Sequence, residues 1–526
     1  MQALKGPLTE LAEFEEINKN RMEHPGMLCI SGCVNSQKTH MMYALSDGIA
    51  HKVIVCSSES KARQVYEEYR MLDTDTYLYP AKDLLFYQAD IRSKELVKAR
   101  MEVLAALIEK KAAVVVTSID AFMDCLLPRE VIRERVISIG AEDTVDLEEL
   151  IRKLVWVGYE REAEISGPGQ FAVRGGILDV YPLTEELPIR IELWGDEVDS
   201  IRTFDVDTQR SVENLSEVFL YPASEFPTEE DQRVSFLQYF DPKDTLLYLD
   251  EPVRILEKGE GVEKEFIEAG KRRVEAGYEV SNEEMKLYGV SEVVKEMNRY
   301  CGVGFFTLPM KAKGFEVRGS YDLQTKSVNP YNRSFELLTQ DLKRLKRNGY
   351  RVVLLSGSRT RARRLAEDLR DYNLSSYYSD DMEREVQPGE IMTAYGHITE
   401  GYEYPLLKFT VIAESDIFGN VKKKKKRKIY EGRKIQSFSE LKPGDYVVHE
   451  NHGLGIYQGI EKIEVDRVAK DYMKIAYDKG GNLYIPATQL DLIQKYASAD
   501  AKKPKLNRLG SQDWVKTKTR VRGAVK

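Results

Sequence analysis

The segment MLCISGCVNSQKT, residues 27 to 39, sets the fold of the first part of the chain. It reads as an apolar strand, a glycine loop and the start of a helix, as in a phosphate-binding loop. Such a loop needs glycines, so that several N–H groups can approach phosphate, and a lysine for charge. Gly32, Lys38 and Thr39 fit this pattern. Gln37 stands where the pattern has its second glycine, and glutamine lacks the backbone freedom of glycine. We therefore predict that phosphate binding is weakened.

The same alternation of apolar strands and helices recurs along the chain. KVIVCSSES (52–60), KAAVVVTSID (111–120) and TLLYLDEP (245–252) are apolar runs, with helical segments between them. Strands that are apolar nearly throughout are typical of a parallel sheet covered on both faces. We therefore predict a RecA-like parallel α/β domain. The last run ends in two carboxylates, Asp250 and Glu251.

Between these runs the composition changes. FAVRGGILDVYPL (171–183) and PIRIELWGDEVDSIRTFDV (188–206) are rich in β-branched and aromatic residues, with turn signals between them. This pattern predicts an antiparallel β domain inserted into the α/β domain. A second strand-and-helix unit follows, and short strands with glycine-rich turns near the end predict a small SH3-like or Tudor-like barrel.

The fold class is therefore α/β and multidomain, with seven segments. We place a first RecA-like part at 1–127, an inserted domain at 128–220, a second RecA-like part at 221–330, a small α/β domain of unassigned role at 331–420, a basic linker at 421–436, the β barrel at 437–497, and a linker with the start of a helix at 498–526. The final residues read as a helix cut short, so we expect the chain to be a piece of a longer protein.

Composition narrows the possible functions. The net charge is −8, so any contact with nucleic acid has to be local. The lysine and arginine run at 422–428 favours a solvated linker, with a weak phosphate contact as the alternative. No apolar run approaches the length of a membrane helix, and we expect a cytoplasmic protein. The five cysteines form no C-x-x-C pair, and we expect them to be reduced and structural.

Two of these segments resemble a known family. FAVRGGILDVYP with GDEVDSIRTFDVDTQR, preceded by the altered GCVNSQKT, is similar to the UvrB-homology module of the bacterial transcription-repair coupling factors. GDYVVHENHGLGIYQGIEK is similar to their RNA polymerase interaction domain, which is CarD-like. The resemblance covers essentially all 526 residues in the same order. It implies that a translocase using ATP and Mg²⁺, which contacts DNA, would follow this chain.

The resemblance implies a degenerate nucleotide site in the first domain. Its candidate residues are Gly32, Asn35, Gln37, Lys38, Thr39, Asp250 and Glu251. Asn35 and Gln37 stand where UvrB has glycines, and no arginine-rich motif is present to stabilise transition-state charge. We therefore expect no catalytic residues and no cofactor in this chain, and the alternative is an active UvrB-like DNA helicase or ATPase. Residual anion binding stays open.

The resemblance also implies that the inserted domain binds UvrA. The candidate contacts are Arg161, Phe171 and Arg174, of which Arg174 is the strongest, because an arginine on a sheet can pair bidentately with acidic groups. Strict alternation along the strand puts Phe171 and Arg174 on opposite faces, so Phe171 is a core residue unless a bulge intervenes.

The barrel is implied to bind the RNA polymerase beta subunit, with Ile463 as the candidate contact and packing inside the barrel as its alternative. His449 and His452 form an H-x-x-H pair, but no further ligand is near in sequence, so we expect no metal site. Taken together, the resemblance implies a scaffold that binds UvrA and RNA polymerase, and we expect it to be a monomer.

Overall fold

The computed structural model describes most of the chain up to residue 419 and separate stretches beyond it. The described ranges are 1–82, 94–109, 112–206, 208–223, 233–275, 287–419, 433–434, 441–449, 452–465, 468–478, 481–486, 493–496 and 506–507. The basic run at 422–428 and nearly all of 498–526 lie outside them.

The first part of the chain alternates strands and helices. Apolar residues fill its strands because both faces of the sheet are covered. Its elements are α1 (Gln2–Lys5), a 3₁₀ helix (Gly6–Glu10), α2 (Ala12–Asn20), β1 (Gly26–Ser31), α3 (Asn35–Ala44), β2 (His51–Cys56), α4 (Glu59–Arg70), β3 (Thr76–Tyr79), α5 (Lys94–Glu109), β4 (Ala113–Ser118), α6 (Ile119–Phe122), β5 (Cys125–Leu126) and α7 (Arg129–Glu134).

The inserted segment is mostly antiparallel. One helix packs its apolar side on a sheet ordered β12-β11-β10-β9-β8-β7. The elements are β6 (Ile137–Gly140), α8 (Leu147–Trp156), β7 (Glu160–Arg161), β8 (Gln170–Arg174), β9 (Ile177–Tyr181), β10 (Ile189–Trp194), β11 (Glu197–Phe204), β12 (Ser211–Leu215) and β13 (Glu217–Leu220). Asp146 caps α8 by accepting from the N–H groups of Glu148 and Glu149.

The chain then returns to the first sheet. The returning elements are β14 (Val234–Ser235), a 3₁₀ helix (Phe236–Tyr239), β15 (Thr245–Asp250), α9 (Pro252–Glu275), α10 (Val290–Met297), β16 (Cys301–Phe305) and β17 (Val317–Asp322). The completed sheet has the order β17-β1-β16-β15-β2-β4-β3 and is parallel throughout. The ends of β1 and β15 therefore meet at one edge, with only β16 between them.

A second, smaller α/β unit follows. Its elements are β18 (Lys326–Ser327), α11 (Phe335–Arg347), β19 (Arg351–Ser356), α12 (Arg359–Asp371), β20 (Tyr377–Tyr378), β21 (Ile391–Tyr395), β22 (Tyr402–Tyr404), β23 (Phe409–Ala413) and α13 (Glu414–Phe418). One face of its sheet shares a continuous apolar core with α3 and β1 of the first unit. The two α/β units are thus packed against each other through buried side chains.

The last described elements form an antiparallel sheet ordered β24-β29-β25-β26-β27-β28. They are β24 (Arg433–Lys434), β25 (Tyr446–His449), β26 (Gly453–Val465), β27 (Val468–Ala476), β28 (Asn482–Pro486) and β29 (Ile493–Lys495). The predicted fold class is confirmed: a parallel α/β sheet, an antiparallel insertion, a second α/β unit and a C-terminal antiparallel sheet lie in that order along the chain.

Candidate functional site

The lysine of the altered loop, Lys38, is held by two carboxylates. Lys38 Nζ donates to Asp250 Oδ1 at 2.9 Å and to Glu251 Oε1 at 2.6 Å. The Lys38 side chain is 6% exposed and that of Asp250 is 4% exposed. Because α3 starts directly after β1 and Asp250 ends β15, the parallel sheet brings these groups to one edge. The predicted residues are therefore together, but they bind one another.

Charge in this cluster is already balanced. Burial alone would lower the pKa of Lys38, but the neighbouring carboxylates outweigh it and raise that pKa. Burial would likewise raise the pKa of Glu251, but hydrogen bonds from Lys38 and Thr307 outweigh it and lower that pKa. Lys61 Nζ lies 3.9 Å from Asp250 Oδ2. Two lysines thus face two carboxylates, which leaves no net positive charge for a phosphate.

Gln37 has a specific structural role at the start of α3. Its Nε2 donates to the Tyr404 hydroxyl at 2.9 Å, and its Oε1 accepts from the N–H of Val34 at 3.3 Å. The Gln37 side chain thus occupies an N–H of the kind that a phosphate-binding loop offers to its ligand. The sequence argument concerned the backbone freedom of this position. The structure shows that its side chain also joins the two α/β units.

A loop of the second unit, residues 399–401, just before β22, covers the helix start. The Asn35 amide donates to Glu400 Oε2 at 2.5 Å, and the Glu400 N–H donates to Ser36 Oγ at 3.2 Å. Ser36 Oγ in turn donates to Glu68 at 2.9 Å. We call residues 399–401 the covering loop. Asn35, which the sequence predicts as a departure from a working site, is one of its attachment points.

The opposite side of the phosphate loop is closed as well. Thr325 Oγ1 donates to the Gly32 carbonyl at 2.5 Å, and a Cβ at Gly32 would lie 1.8 Å from the Leu323 carbonyl oxygen. Gly32 has φ of +74°, so only glycine fits this position. The Cys33 N–H donates to the Phe306 carbonyl at 3.1 Å. Neighbouring backbone therefore occupies the loop where phosphate oxygens would sit.

A small cavity remains between α3, α4 and the second unit. Its volume is about 30 Å³, and Thr39, His40, Glu68 and Tyr402 are among its lining residues. That space fits about one water molecule, whereas a nucleoside triphosphate is many times larger. Thr39, a candidate residue of the degenerate nucleotide site, is buried against this cavity. In this conformation the degenerate site is filled by protein.

The outer face of the inserted sheet, by contrast, is open and carries arginines. Asp179 accepts from Arg174 Nη2 at 2.6 Å, from Arg190 Nε at 2.6 Å and from Arg190 Nη2 at 2.9 Å. Asp179 is buried, while the Arg174 side chain is 46% exposed. The buried carboxylate thus fixes Arg174 in place and leaves part of its guanidinium facing solvent. The arginine that the sequence predicts as the main contact is accessible.

The other two predicted contacts on this domain differ from each other. Arg161 is exposed on β7, where its backbone pairs with that of Phe171. Phe171 is 0% exposed and lies in the core formed with α8. Of the two readings of Phe171, the structure therefore favours the core residue over the contact, because β8 alternates without a bulge and directs this side chain inward.

Sequence reasoning missed three residues of this face. Asp179 and Arg190 form the ion pair that holds the Arg174 guanidinium. Trp194, at the end of β10, is 83% exposed. The signal was present in IRIELW, residues 189–194, where apolar residues alternate with Arg190, Glu192 and Trp194. An alternating strand with a tryptophan on its polar face indicates a binding surface.

The C-terminal sheet places Ile463 on a long hairpin. β26 and β27 pair from Ile456 opposite Ala476 to Val465 opposite Val468, and Ile463 lies opposite Lys470. The Ile463 side chain lies outside the described residues, so the two readings of this position stay open. His449 is buried, and its ring centroid is 4.8 Å from that of His452.

The described residues contain neither a metal-binding cluster nor a membrane-spanning helix. No group of three or more His, Cys, Asp or Glu side chains among them could hold a metal ion. No helix within the described ranges has the length and apolar character needed to cross a bilayer.

Comparison with protein families matches two parts of the chain. Residues 137–226 match the UvrB interaction domain, and residues 441–497 match the CarD-like/TRCF RID domain. The first match contains the face with Arg174 and Asp179, and the second contains the hairpin with Ile463. Both segments are those from which the sequence resemblance was drawn.

Whole-chain comparison gives a consistent set of relatives. A transcription-repair-coupling factor of Bacillus subtilis is 31% identical over 581 aligned residues, covering 98% of this chain and 49% of its own. One of Staphylococcus haemolyticus is 28% identical over 512, covering 86% and 43%. The chain therefore spans about half the length of the relatives it matches.

One solved structure aligns with most of this chain, but its similarity is low. A hypothetical ATP-dependent RNA helicase from Sulfolobus tokodaii aligns over 75% of this chain and 82% of its own, with 11% identity. Its TM-score is 0.23, too low to support a conclusion about fold.

Proposed function

Starting from a chain that carries a UvrB interaction domain and a CarD-like/TRCF RID domain, and whose resemblance to the transcription-repair coupling factors is confirmed, we propose that it is a protein-binding scaffold. The inserted domain binds UvrA through Arg174 and its neighbours. The C-terminal sheet binds RNA polymerase, at its beta subunit. The first α/β unit hydrolyses no ATP.

The observation that carries this proposal is the closed phosphate loop. Lys38, the group that would meet a phosphate, is 6% exposed and bound to Asp250 and Glu251, with Gln37 and the covering loop packed around the helix start. Because these polar groups bond to other parts of the protein, they are not available to a nucleotide. The unit is instead suited to hold other domains in position. One matched domain is inserted into this unit, between α7 and β14, and the other follows it in the chain.

In the whole factor this scaffold would work with a motor. The relatives are about twice as long as this chain, and the proposal assigns the ATP-dependent, DNA-bound release of stalled polymerase to the part beyond the match. The scaffold then links the stalled polymerase to UvrA, and so to nucleotide excision repair. ATP and Mg²⁺ act in the motor and not in this chain.

The second candidate function is an ATPase or helicase of the UvrB type. What favours it is that Lys38, Thr39, Asp250 and Glu251 are all present, with the lysine within 2.9 Å of both acids. It requires the covering loop to move away and the lysine to exchange its partners. Calorimetric titration with ATP and Mg²⁺ separates the two: micromolar binding that Lys38→Ala removes would favour the enzyme.

The test of the scaffold is direct binding of purified UvrA and RNA polymerase. Arg174→Glu should weaken UvrA binding by at least about tenfold, since charge reversal places like charges at a recognition site, and should leave polymerase binding unchanged. Ile463→Asp should do the reverse. Lys153→Glu, on the far side of the inserted domain and paired only with Glu149, is the control.

The circular dichroism spectrum and unfolding temperature of each variant decide how a loss is interpreted. A folded Ile463→Asp variant without polymerase binding supports a surface contact, whereas an unfolded C-terminal sheet supports packing of Ile463 inside it. Wild-type chain that binds neither partner at micromolar concentration overturns the scaffold.

A further inference from the structure

The most exposed large apolar side chain on the inserted sheet is Trp194. Its exposure is 83%, compared with 62% for Trp156 on α8. Tryptophan and arginine are among the residues most enriched in the energetically dominant contacts of protein interfaces. Trp194 is therefore the strongest candidate for an apolar contact, which the arginines do not provide.

The alternation of β10 places Trp194 on the same face as Arg190 and Glu192. Ile189, Ile191 and Leu193 belong to the core with α8, so the residues between them point to the opposite side. That opposite side carries Arg174, Arg190 and Arg202. Trp194 thus lies on the arginine face of the sheet, whereas Trp156 lies on the helix that covers the other face.

Backbone contacts bring Trp194 next to the hairpin that carries Arg174. The Leu193 N–H donates to the Gly176 carbonyl at 2.8 Å, and a Cβ at Gly176 would lie 2.6 Å from the Leu193 carbonyl oxygen. Gly176 therefore lets the turn after Arg174 lie directly against β10. The residue that follows this close approach is Trp194.

Among the charged side chains of this face, Arg174 is the arginine most accessible to a partner. Asp179 is bound by Arg174 and Arg190, and Glu192 is bound by Arg202. Within this group of three arginines and two carboxylates the net charge is +1, in a chain whose net charge is −8. Among the three, Arg174 is the most exposed, at 46% against 13% and 23%. A partner for this face therefore needs a carboxylate opposite Arg174.

We infer that Trp194 is the apolar anchor of the partner surface on the inserted domain, next to Arg174. The inference rests on the proposed function and takes UvrA as the occupant. It assigns to UvrA an acidic side chain for Arg174 and, beside it, an apolar recess that receives the indole. The aromatic contact expected at Phe171 is thus supplied from β10 instead.

The test is a titration of UvrA with the full 526-residue chain and with Trp194→Ala. We expect this variant to bind at least about tenfold more weakly, as for a buried aromatic anchor. Trp156→Ala, an equally large truncation on the opposite side of the domain, should change binding by less than about twofold. Equal unfolding temperatures for the variants and wild type establish that the fold is kept.

A second measurement needs no loss of binding. In a Trp156→Phe, Trp514→Phe background, Trp194 is the one remaining tryptophan. Its fluorescence should shift to shorter wavelength and lose accessibility to iodide when UvrA is added, since the indole leaves water.

The outcomes separate this inference from the proposed function. If wild type binds UvrA and needs Arg174 but Trp194→Ala binds equally well, the inference is wrong and the scaffold stands. If wild type does not bind UvrA, both are wrong. If light scattering shows a dimer of this chain that Trp194→Ala dissociates, while UvrA binding is unchanged, Trp194 contacts a second copy and the inference is likewise overturned.

Discussion

Two clusters in this molecule share one chemistry and differ in access. At the edge of the first sheet, Asp250 and Glu251 hold Lys38, and on the inserted sheet Asp179 holds Arg174 and Arg190. The Lys38 side chain is 6% exposed, whereas that of Arg174 is 46% exposed. The covering loop contacts Asn35 and Ser36 beside the first cluster, whereas solvent reaches Arg174 in the second. A basic group bound to a buried carboxylate is thus itself buried in one place and accessible to solvent in the other.

The largest expected effect comes from breaking the covered cluster. Lys38→Ala leaves Asp250 and Glu251 without their main partner, and removing one member of a buried ion pair costs about 3–5 kcal/mol. We expect the free energy of unfolding of the first unit, measured with urea, to fall by that amount. Lys61→Ala, which removes a lysine 3.9 Å from Asp250, should cost under about 1 kcal/mol.

The opposite outcome would remove the distinction between the clusters. If Lys38→Ala is as stable as wild type, the lysine is not held by the acids in solution. The cluster would then be accessible to ligands, as in the ATPase reading.

Acid should loosen the packing of α3 against the second unit, where His40 is buried. Burial lowers the pKa of His40 to about 4, and its ring contacts the Tyr404 hydroxyl and the Leu4 carbonyl. The folded state therefore favours neutral His40, while the unfolded chain takes up a proton once the pH falls below about 6.5. The stability contribution is complete above that pH and is lost as the pH falls toward 4, by about 3 kcal/mol.

The measurement is urea unfolding from pH 7.5 to 4.5 for wild type and His40→Gln. Other groups titrate in this window, so the difference between the two slopes is the relevant quantity. The variant should lose less stability on acidification. Identical slopes would contradict a buried, neutral His40.

The smallest expected effect is on the exposed side. Asp179→Asn keeps an acceptor oxygen but removes the charge between Arg174 and Arg190, which should cost about 1–3 kcal/mol of stability. UvrA binding should weaken more than this cost alone would predict, because Arg174 loses its fixed position. Glu192→Gln, which weakens a more exposed pair with Arg202, is the matched control. An Asp179→Asn variant that binds UvrA with wild-type affinity would show that Arg174 needs no positioning.

The strands of the first sheet were predictable, and the closure of its edge was not. MLCIS and TLLYLD are continuous apolar runs because both faces of their sheet are buried. Tyr404 lies 367 residues after Gln37, and nothing in the local sequence of either residue indicates the other. The sequence therefore identifies the altered loop but not the side chains that fill it.

The inserted domain shows a similar limit. Arg174 was predictable from the resemblance, and strand alternation alone indicates that Phe171 points inward. Asp179 lies in an apolar stretch, GGILDVYP, where one carboxylate reads as a strand-end or turn residue. Its role depends on Arg190, which reaches it from the neighbouring strand β10. Which residues pair across two strands depends on the register between them. The sequence of either strand alone does not determine that register.

The contact between His40 and Tyr404 has a consequence for synthesis on the ribosome. The two residues are 364 positions apart, so at about 5–20 residues per second the first waits on the order of tens of seconds for the second to emerge. During that time the apolar side of α3 has no partner from the second unit. The nascent first unit should therefore be a substrate for chaperones, and its native packing should be completed only when Tyr404 has left the exit tunnel.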